Sequence, residues 1–169
     1  MHTWSGIRTK LEKDYLAPSL RGRVQYFATS YSKCPDHEGR AAIRIDGKEI
    51  LKSGYYQKMF AQSRVIQDLQ NKKEDFTYSK YWNESFDTAL NAGEFDQRDF
   101  YEAFQEFDNQ GIDKSLVSTN PIVRLFAILD RRVGKRRLVA LQDGMKNELE
   151  WICPFLLLRL EAEGIEKNT

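Results

Sequence analysis

The sequence has few of the residues that build disulfide frameworks or metal centres. Its 169 residues include two cysteines and two histidines. Cys34 and Cys153 are too few for a disulfide framework, so we expect both to be reduced thiols in a cytosol. Cys34 and His37 have C-x-x-H spacing, but only Cys153 and His2 remain to complete a zinc site. We therefore predict no metal site and no cofactor.

Long apolar runs are also missing. The most apolar stretch is WICPFLLL at residues 151–158, which has a proline inside it, whereas a membrane-spanning helix needs about 20 apolar residues. The N-terminal MHTWSGIRTKLEKDYL lacks the apolar centre of a signal peptide. We expect a cytoplasmic protein with no membrane partner, folded as a single domain over residues 1–169.

Charge is balanced overall but unevenly distributed. The net charge is +1. Residues 1–64 carry 12 basic and 6 acidic side chains, residues 65–113 carry 4 and 12, and residues 114–169 carry 10 and 7. Such polarity can steer a charged partner towards the protein. The alternative is that the acidic middle segment folds onto its basic flanks through ion pairs.

The N-terminal third predicts a helix followed by a small antiparallel meander. Apolar residues recur at helical spacing over residues 5–16, and Pro18 ends this pattern. RVQYFATSY at residues 23–31 is rich in β-branched and aromatic residues, so we predict a strand. GRAAIRIDGKEILKSG at residues 39–54 predicts a hairpin. Its turn is Asp46-Gly47, the dipeptide favoured where a two-residue turn needs positive φ.

The remaining two-thirds is predicted to be mostly helical. Apolar residues recur every three or four positions in four segments, which are residues 55–73, 78–93, 95–111 and 118–132. The aromatic stripes are Tyr78, Trp82 and Phe86 in one segment and Phe100, Phe104 and Phe107 in the next. Their spacing indicates core packing rather than a ligand site. A last helix is expected over about 146–163, either kinked or restarted at Pro154. The predicted fold class is α+β, with about three strands.

The segment LDRRVGKRR at residues 129–137 concentrates positive charge. Its charged residues are Asp130, Arg131, Arg132, Lys135, Arg136 and Arg137. If one straight helix ran through this segment, Leu138 would lie about 120° around the helix axis from the apolar face that ends at Val133. One helix cannot bury both sets, so we predict a break at Gly134 and a second helix over about 135–143.

Two interpretations of this cluster remain open. In the first, it is a structural joint, and we predict an ion pair between Asp130 and at least one of Arg131, Arg132 or Arg136. In the second, the cations bind an anion such as a phosphate backbone, because a helix, a glycine turn and a helix also describe DNA readers. The second helix has few side chains able to read bases. We therefore predict at most weak, sequence-independent nucleic-acid binding.

Two blocks of the chain carry a family resemblance. NPIVRLFAILDRRVGKRRL at residues 120–138, together with GRAAIRIDGKE at 39–49, resembles a family of small uncharacterised bacterial proteins. The resemblance implies a bacterial cytosolic origin. It supplies no activity, cofactor or catalytic residue.

One short pattern in the sequence resembles an enzyme site. Pro35-Asp36 is separated by nine residues from Asp46-Gly47-Lys48, which matches the loose spacing of metal-dependent nucleases. In that chemistry two carboxylates hold Mg²⁺ and a lysine orients the attacking water. The arrangement needs Asp46 and Lys48 on the same face of one strand, whereas the predicted turn separates them. We therefore predict no nuclease activity.

The sequence favours a non-catalytic protein-binding module, of which an immunity or antitoxin-like inhibitor is one form. Aromatic residues beside acidic ones in residues 78–108 support it, because aromatic side chains are common interface anchors. The first alternative is a nucleic-acid-associated protein that uses the cations of residues 131–137. The second is a metal-dependent nuclease that uses Asp36, Asp46 and Lys48. The partner and the oligomeric state remain open.

Overall fold

The computed structural model describes residues 3–34, 38–72 and 77–166. The fold is α+β, as predicted. The helices are α1 Trp4–Thr9, α2 Tyr55–Lys72, α3 Tyr78–Asn91, α4 Gln97–Asn109, α5 Ile112–Leu116, α6 Pro121–Leu129, α7 Lys135–Gly144 and α8 Cys153–Ala162. The strands are β1 Val24–Ser30, β2 Gly39–Ile45 and β3 Lys48–Gly54. Among the described segments, none of the helices is long and apolar enough to cross a membrane.

The N-terminal helix changes type along its length. α1 starts after Thr3, whose side chain accepts the backbone N–H of Gly6 at 3.3 Å. From Lys10 to Tyr15 the backbone continues as a π-helix, so the predicted single helix over 5–16 is two helical types in succession. Ile7 and Leu11 are buried, which is the apolar face that the sequence pattern predicted.

The three strands form an antiparallel meander in the order β1-β2-β3. Ile43 of β2 pairs with Leu51 of β3 across the hairpin. At the turn between them, Asp46 has a φ of 49° and Gly47 a φ of 82°. Positive φ at both positions is the geometry that favours Asp-Gly in two-residue hairpins. The predicted hairpin and its turn are confirmed.

The helix α6 packs between two groups of buried side chains, which is why it is apolar on nearly every side. On one side, the ring of Phe126 meets Tyr26 of β1 and Phe100 of α4 edge to face, with centroids 5.5 and 5.7 Å apart. On the other side, Ile128 joins a cluster that includes Leu138 of α7 and residues of α8. α6 therefore connects the sheet-bearing half of the core to the C-terminal helices.

The two predicted aromatic stripes have different outcomes. Phe100, Phe104 and Phe107 are all buried, so the prediction for the third helical segment is confirmed. In α3 the prediction is wrong for two of the three residues, because Tyr78 is 60% exposed and Trp82 is 44% exposed, whereas Phe86 packs against the core. This helix turns a different face inward. Its buried residues are Tyr81, Ser85, Ala89 and Leu90.

The boundaries around Gly134 follow the predicted break. α6 ends at Leu129 and α7 begins at Lys135, which brings Leu138 into the second part of the core. The last helix begins at Cys153, with Pro154 in its first turn. This is the predicted restart, because proline is tolerated where a helix has no internal partner for its N–H.

Candidate functional site

The segment from Asp130 to Val133 joins the end of α6 to the N-terminal region. An isolated antiparallel bridge links Leu16 to Asp130. In it, the Ala17 N–H donates to the Leu129 carbonyl at 2.9 Å, and the Arg131 N–H donates to the Tyr15 carbonyl at 2.8 Å. The backbone of the basic segment is therefore part of the scaffold. We call residues 129–137 the basic joint.

A buried carboxylate organises the basic joint. Asp130 is fully buried, and it accepts the backbone N–H of Arg132 at 2.6 Å and its Nη2 at 2.8 Å. The guanidinium of Arg132 also lies over the rings of Tyr15 and Phe107, at 4.9 and 5.4 Å from their centroids. The hydrogen bond to Asp130 raises the pKa of Arg132. The predicted intramolecular ion pair is confirmed.

The other four cations divide into one paired residue and three that face solvent. Arg137 forms an ion pair with Asp113 at 2.9 Å. Arg131, Lys135 and Arg136 are exposed. Within the described ranges, the side chains of Arg131 and Arg136 make no hydrogen bond or ion pair. The structure thus uses part of the cluster internally and leaves three cations at the surface.

A second arginine, which sequence reasoning did not find, supports this joint from α8. Arg159 is buried, and it donates to the carbonyl of Val133 at 3.1 Å and to Oγ of Ser19 at 3.0 Å. It also forms an ion pair with Glu163 one turn further along the helix. Because the helix is broken at Gly134, the Val133 carbonyl has no partner within a helix, and Arg159 donates the hydrogen bond that it accepts.

Two of the three residues of the nuclease pattern, Asp46 and Lys48, lie in the described part of the chain. Asp46 lies in the hairpin turn and binds Arg23 at 2.9 Å. The hydrogen bond from Arg23 lowers the pKa of Asp46. Lys48 is the first residue of β3, and Asp36 lies outside the described residues. The predicted position of Asp46 is confirmed, and the absence of nuclease activity stays a prediction.

The two cysteines and the described acidic residues do not form a metal centre either. Cys153 donates to the carbonyl of Leu149 at 3.4 Å, and burial raises the pKa of its thiol. Cys34 is partly exposed, while His2 and His37 lie outside the described residues. In the part of the chain that the structure describes, no three His, Cys, Asp or Glu side chains are grouped to hold a metal ion.

A cavity of about 600 Å³ opens between α2, α3 and the start of α4. Its apolar walls are Tyr55 and Met59 of α2 together with Trp82 and Phe86 of α3. Its polar lining consists of Lys58, Gln62, Asp96, Arg98, Asp99 and Glu102. Three of these polar residues are carboxylates and two are cations. We call this cavity the acidic pocket.

The acidic pocket contains an internal ion pair. The Lys58 ammonium lies 2.8 Å from Asp99 and 3.5 Å from Asp96. It also lies over the ring of Phe86, at 4.4 Å from the centroid. The lysine is only 12% exposed, so its charge is balanced by the two carboxylates and by the face of the aromatic ring.

The local sequence Asp96-Gln-Arg-Asp99 positions both carboxylates. Asp96 caps α4 by accepting the Arg98 N–H at 2.9 Å, and Asp99 accepts the Asp96 N–H at 2.7 Å. This reciprocal capping box fixes the two side chains at the helix N-terminus. Burial raises the pKa of Asp99 to about 6, Lys58 opposes that change, and the neighbouring charge of Asp96 adds to it.

Two polar groups of the acidic pocket have no partner among the described residues. Gln62 is 6% exposed, and its Nε2 has no hydrogen-bond acceptor. Glu102 is exposed at the rim and forms no ion pair within the same described ranges. Asp96 Oδ2 is already the oxygen that lies 3.5 Å from the Lys58 ammonium. Within the part of the chain that the structure describes, the binding capacity left in the pocket therefore belongs to Gln62 and Glu102.

A family model for the SF0329 protein family matches residues 3–160. The chain belongs to the SF0329 protein family. The matched range contains both the basic joint and the acidic pocket. No curated protein and no solved structure matches the chain. Membership of the SF0329 family confirms the expected resemblance to a family without an assigned activity, so it transfers no catalytic residue.

The acidic pocket of this SF0329 family member was missed by sequence reasoning, which placed Trp82 in the core. The alternative face of α3 could have been found in the sequence, because Tyr81, Ser85 and Ala89 also recur every four residues. Choosing between the two faces requires knowing where α2 packs. The same choice exposes Tyr78, whose ring stacks on Trp82 with centroids 5.8 Å apart and planes 23° apart.

Proposed function

We propose that this protein is a non-catalytic protein-binding module of the bacterial cytosol and that it engages its partner at the acidic pocket. The observation that carries the proposal is an open, aromatic-walled cavity of about 600 Å³ whose polar groups are only partly used by the fold. Among the catalytic patterns considered, none is assembled by the described residues. A binding role therefore accounts for the pocket best.

Exposed aromatic residues next to the pocket support this proposal. Tyr78 and Trp82 stack on α3, and Tyr56 and Phe60 are 52% and 60% exposed on α2. Large aromatic side chains are frequent at the energetic centres of interfaces. The two helices that wall the pocket therefore also carry anchors for a partner.

The charge of this region indicates what kind of partner it attracts. Residues 65–113 carry 12 acidic and 4 basic side chains, and α3, α4 and the pocket rim belong to that segment. A negative surface accelerates encounter with a positive one. The partner is a protein with a basic surface, as expected if this chain is an immunity or antitoxin-like inhibitor that covers a basic nucleic-acid-binding site.

Site-specific photocrosslinking tests the proposal in a bacterial host that carries the gene natively. A p-benzoylphenylalanine at position 60 is expected to form one dominant adduct with a basic protein, which mass spectrometry identifies. The purified partner is then titrated against the wild-type protein and against Trp82→Ala. We expect Trp82→Ala to weaken binding at least about fivefold, because truncating an interface anchor costs more than about 1 kcal/mol.

Val139 provides the matched control, because it is 42% exposed on α7 and does not line the pocket. Val139→Ala should leave the affinity unchanged, and a crosslinker at position 139 should not yield the same adduct. The proposal is wrong if no adduct depends on the position of the crosslinker. It is equally wrong if the identified protein binds Trp82→Ala as tightly as wild type.

A further inference from the structure

We propose that the acidic pocket receives a tyrosine side chain of the partner, an inference that rests on the proposed function. Two polar groups of the lining have no partner within the described ranges, the amide Nε2 of Gln62 and the carboxylate of Glu102. The first is a hydrogen-bond donor and the second is an acceptor. Together with the aromatic walls and the charge of the lining, they define the chemical group that fits the pocket.

The unpartnered atom of Gln62 requires an acceptor from the ligand. Gln62 lines the pocket from α2 and is 6% exposed, and its Nε2 has no acceptor. A buried donor without a partner is unfavourable, so such atoms are rare in folded proteins. The side chains of lysine, arginine and tryptophan carry donors only, so none of them satisfies this atom. The ligand therefore presents an oxygen or a nitrogen with a free lone pair.

The charge of the lining disfavours an anionic acceptor. The three carboxylates of the pocket outnumber its two cations, so a further carboxylate would be repelled. A neutral imidazole has an acceptor nitrogen, but nearby carboxylates favour its protonated form, which has donors only. The acceptor is therefore a neutral oxygen, which leaves hydroxyl and amide groups.

The aromatic walls favour a phenol over an amide or an aliphatic hydroxyl. Tyr55 and Met59 come from α2, and Trp82 and Phe86 come from α3. Trp82 is 44% exposed, so a ring that packs on it would remove apolar surface from water. Serine and threonine are too short to cover these walls, and asparagine and glutamine place a polar amide against them. Tyrosine combines an apolar ring with one hydroxyl.

The tyrosine hydroxyl also suits the second unpartnered group. A phenolic oxygen accepts a hydrogen bond while its O–H donates another. Gln62 supplies the donor, and the exposed carboxylate of Glu102 at the rim offers the acceptor, directly or through a water molecule. A basic surface around the tyrosine would face the acidic segment outside the pocket. Tyrosine is also enriched among the residues that dominate the binding energy of interfaces.

Defined tripeptides test this inference without the natural partner. The probes are Ac-Gly-Tyr-Gly-NH₂, the phenylalanine peptide, which lacks only the hydroxyl, and the glutamine peptide, which offers an amide. The protein is labelled with 5-fluorotryptophan at its three tryptophans, and Trp82→Phe identifies the resonance of Trp82. We expect the tyrosine peptide to shift that resonance with millimolar affinity and each of the other two peptides to bind at least about threefold more weakly.

Two variants of α2 assign this preference to Gln62. Gln62→Met keeps the length of the side chain and removes its donor, so the preference for tyrosine over phenylalanine should be lost. Gln67→Met makes the same change at an exposed position that does not line the pocket, and it should keep the preference. Urea denaturation should show that both variants fold as stably as wild type, because methionine and glutamine have similar helix propensities.

Three results would overturn the tyrosine inference. The first is equal binding of the tyrosine and phenylalanine peptides to wild type, since water rather than a ligand would then satisfy Gln62. The second is tighter binding of the glutamine peptide than of the tyrosine peptide, or no binding by any of the three. The third is a Gln62→Met variant that keeps the preference of wild type.

The result can be separated from the fate of the proposed function. If the crosslinked partner depends on Trp82 but binds Gln62→Met as tightly as wild type, the tyrosine inference fails and the binding module stands. If the tyrosine peptide binds with the expected dependence on Gln62 but no crosslinked protein depends on Trp82, the protein-binding function fails and the specificity of the pocket for a phenol stands.

Discussion

Asp130 is the residue whose removal should cost the basic joint most. Its carboxylate is fully buried and accepts both the backbone and the side chain of Arg132. We predict that Asp130→Ala lowers the free energy of unfolding by about 3 kcal/mol, because it leaves a partly buried guanidinium and a turn N–H unpaired. Urea denaturation of the purified variant measures this change.

Arg136 is the control for that measurement, because it belongs to the same cluster but is exposed. Arg136→Ala should change the free energy of unfolding by no more than about 0.5 kcal/mol. Comparable losses in Asp130→Ala and Arg136→Ala would contradict a structural role for the Asp130–Arg132 pair.

Asp99 should make the protein less stable as the pH rises, which is opposite to the usual effect of a carboxylate. Its pKa is raised by burial to about 6 in the folded protein, against about 3.9 in an unfolded chain. The folded state therefore binds this proton more tightly. The contribution of Asp99 to stability is complete below about pH 4 and is lost as the pH rises through about 6.

The difference between wild type and Asp99→Asn isolates this effect. We predict that the unfolding free energy of wild type, relative to Asp99→Asn, falls between about pH 4 and pH 6. Carboxylates with lowered pKa, such as Glu49 and Glu163, act in the opposite direction but are common to both proteins. Urea denaturation at a series of pH values measures the difference, and a constant or rising value would contradict the pKa of Asp99.

Gly39 begins β2, and neighbouring parts of the chain leave no room for a side chain there. A Cβ added to Gly39 would overlap the carbonyl oxygen of Thr29 and the side chain of Gln97. We predict that Gly39→Ala lowers the free energy of unfolding by at least about 2 kcal/mol, because the β1–β2 pair or α4 has to shift. Thermal and urea denaturation measure the loss.

The end of α7 provides the comparison for Gly39. Gly144 has helical backbone angles with a φ of −85°, and a Cβ there would meet no atom within 4 Å. Gly144→Ala should therefore stabilise the protein slightly, by up to about 1 kcal/mol, because alanine restricts the unfolded chain. If Gly39→Ala and Gly144→Ala had the same effect, the close packing of β2 against β1 and α4 would be refuted.

The boundaries of several elements could be read from the sequence because local chemistry sets them. The Asp46-Gly47 turn adopts the positive φ values that this dipeptide tolerates. The change in helical phase at Gly134 predicted the break between α6 and α7, and Asn120 caps α6 by accepting the Ile122 N–H. Each of these signals lies within a few residues of the feature that it predicts.

For the whole molecule, the surface charge predicts only weak binding to nucleic acids. Arg131, Lys135 and Arg136 are the exposed cations of the basic joint without an ion pair within the described ranges. If all three bound phosphates, the logarithm of the affinity would fall with the logarithm of salt with a slope of about −3. We predict a shallower slope and micromolar or weaker affinity for a mixed-sequence duplex near physiological salt.

Two variants distinguish a structural cluster from a binding site. Arg132→Ala should lower the melting temperature, because it removes the partner of Asp130. The double variant Arg131→Ala/Arg136→Ala should melt like wild type and bind nucleic acid only slightly less. Fluorescence anisotropy over a range of salt concentrations measures the binding. If the protein bound one nucleic-acid sequence with nanomolar affinity and the double variant did not, the proposed protein-binding function would be wrong and the nucleic-acid alternative would stand.

The amino-acid sequence alone predicts the secondary structure of the N-terminal meander, the apolar character of α6 and an ion pair at Asp130. These follow from turn chemistry, helical periodicity and the high cost of an unpaired buried charge. The partner of Asp130 was narrowed to three arginines, and Arg132 is the one that the backbone turn brings within reach.

The buried face of α3 and the position of the acidic pocket could not be predicted from the sequence, because both depend on how the helices pack. Trp82 and Tyr81 are adjacent in the sequence, and both fit helical stripes, but Tyr81 is buried and Trp82 is 44% exposed at the pocket. Likewise, Lys58 and Asp99 are 41 residues apart, so no local pattern links them. A pocket formed by three helices depends on how those helices pack, and packing energies are summed over contacts between residues distant in sequence.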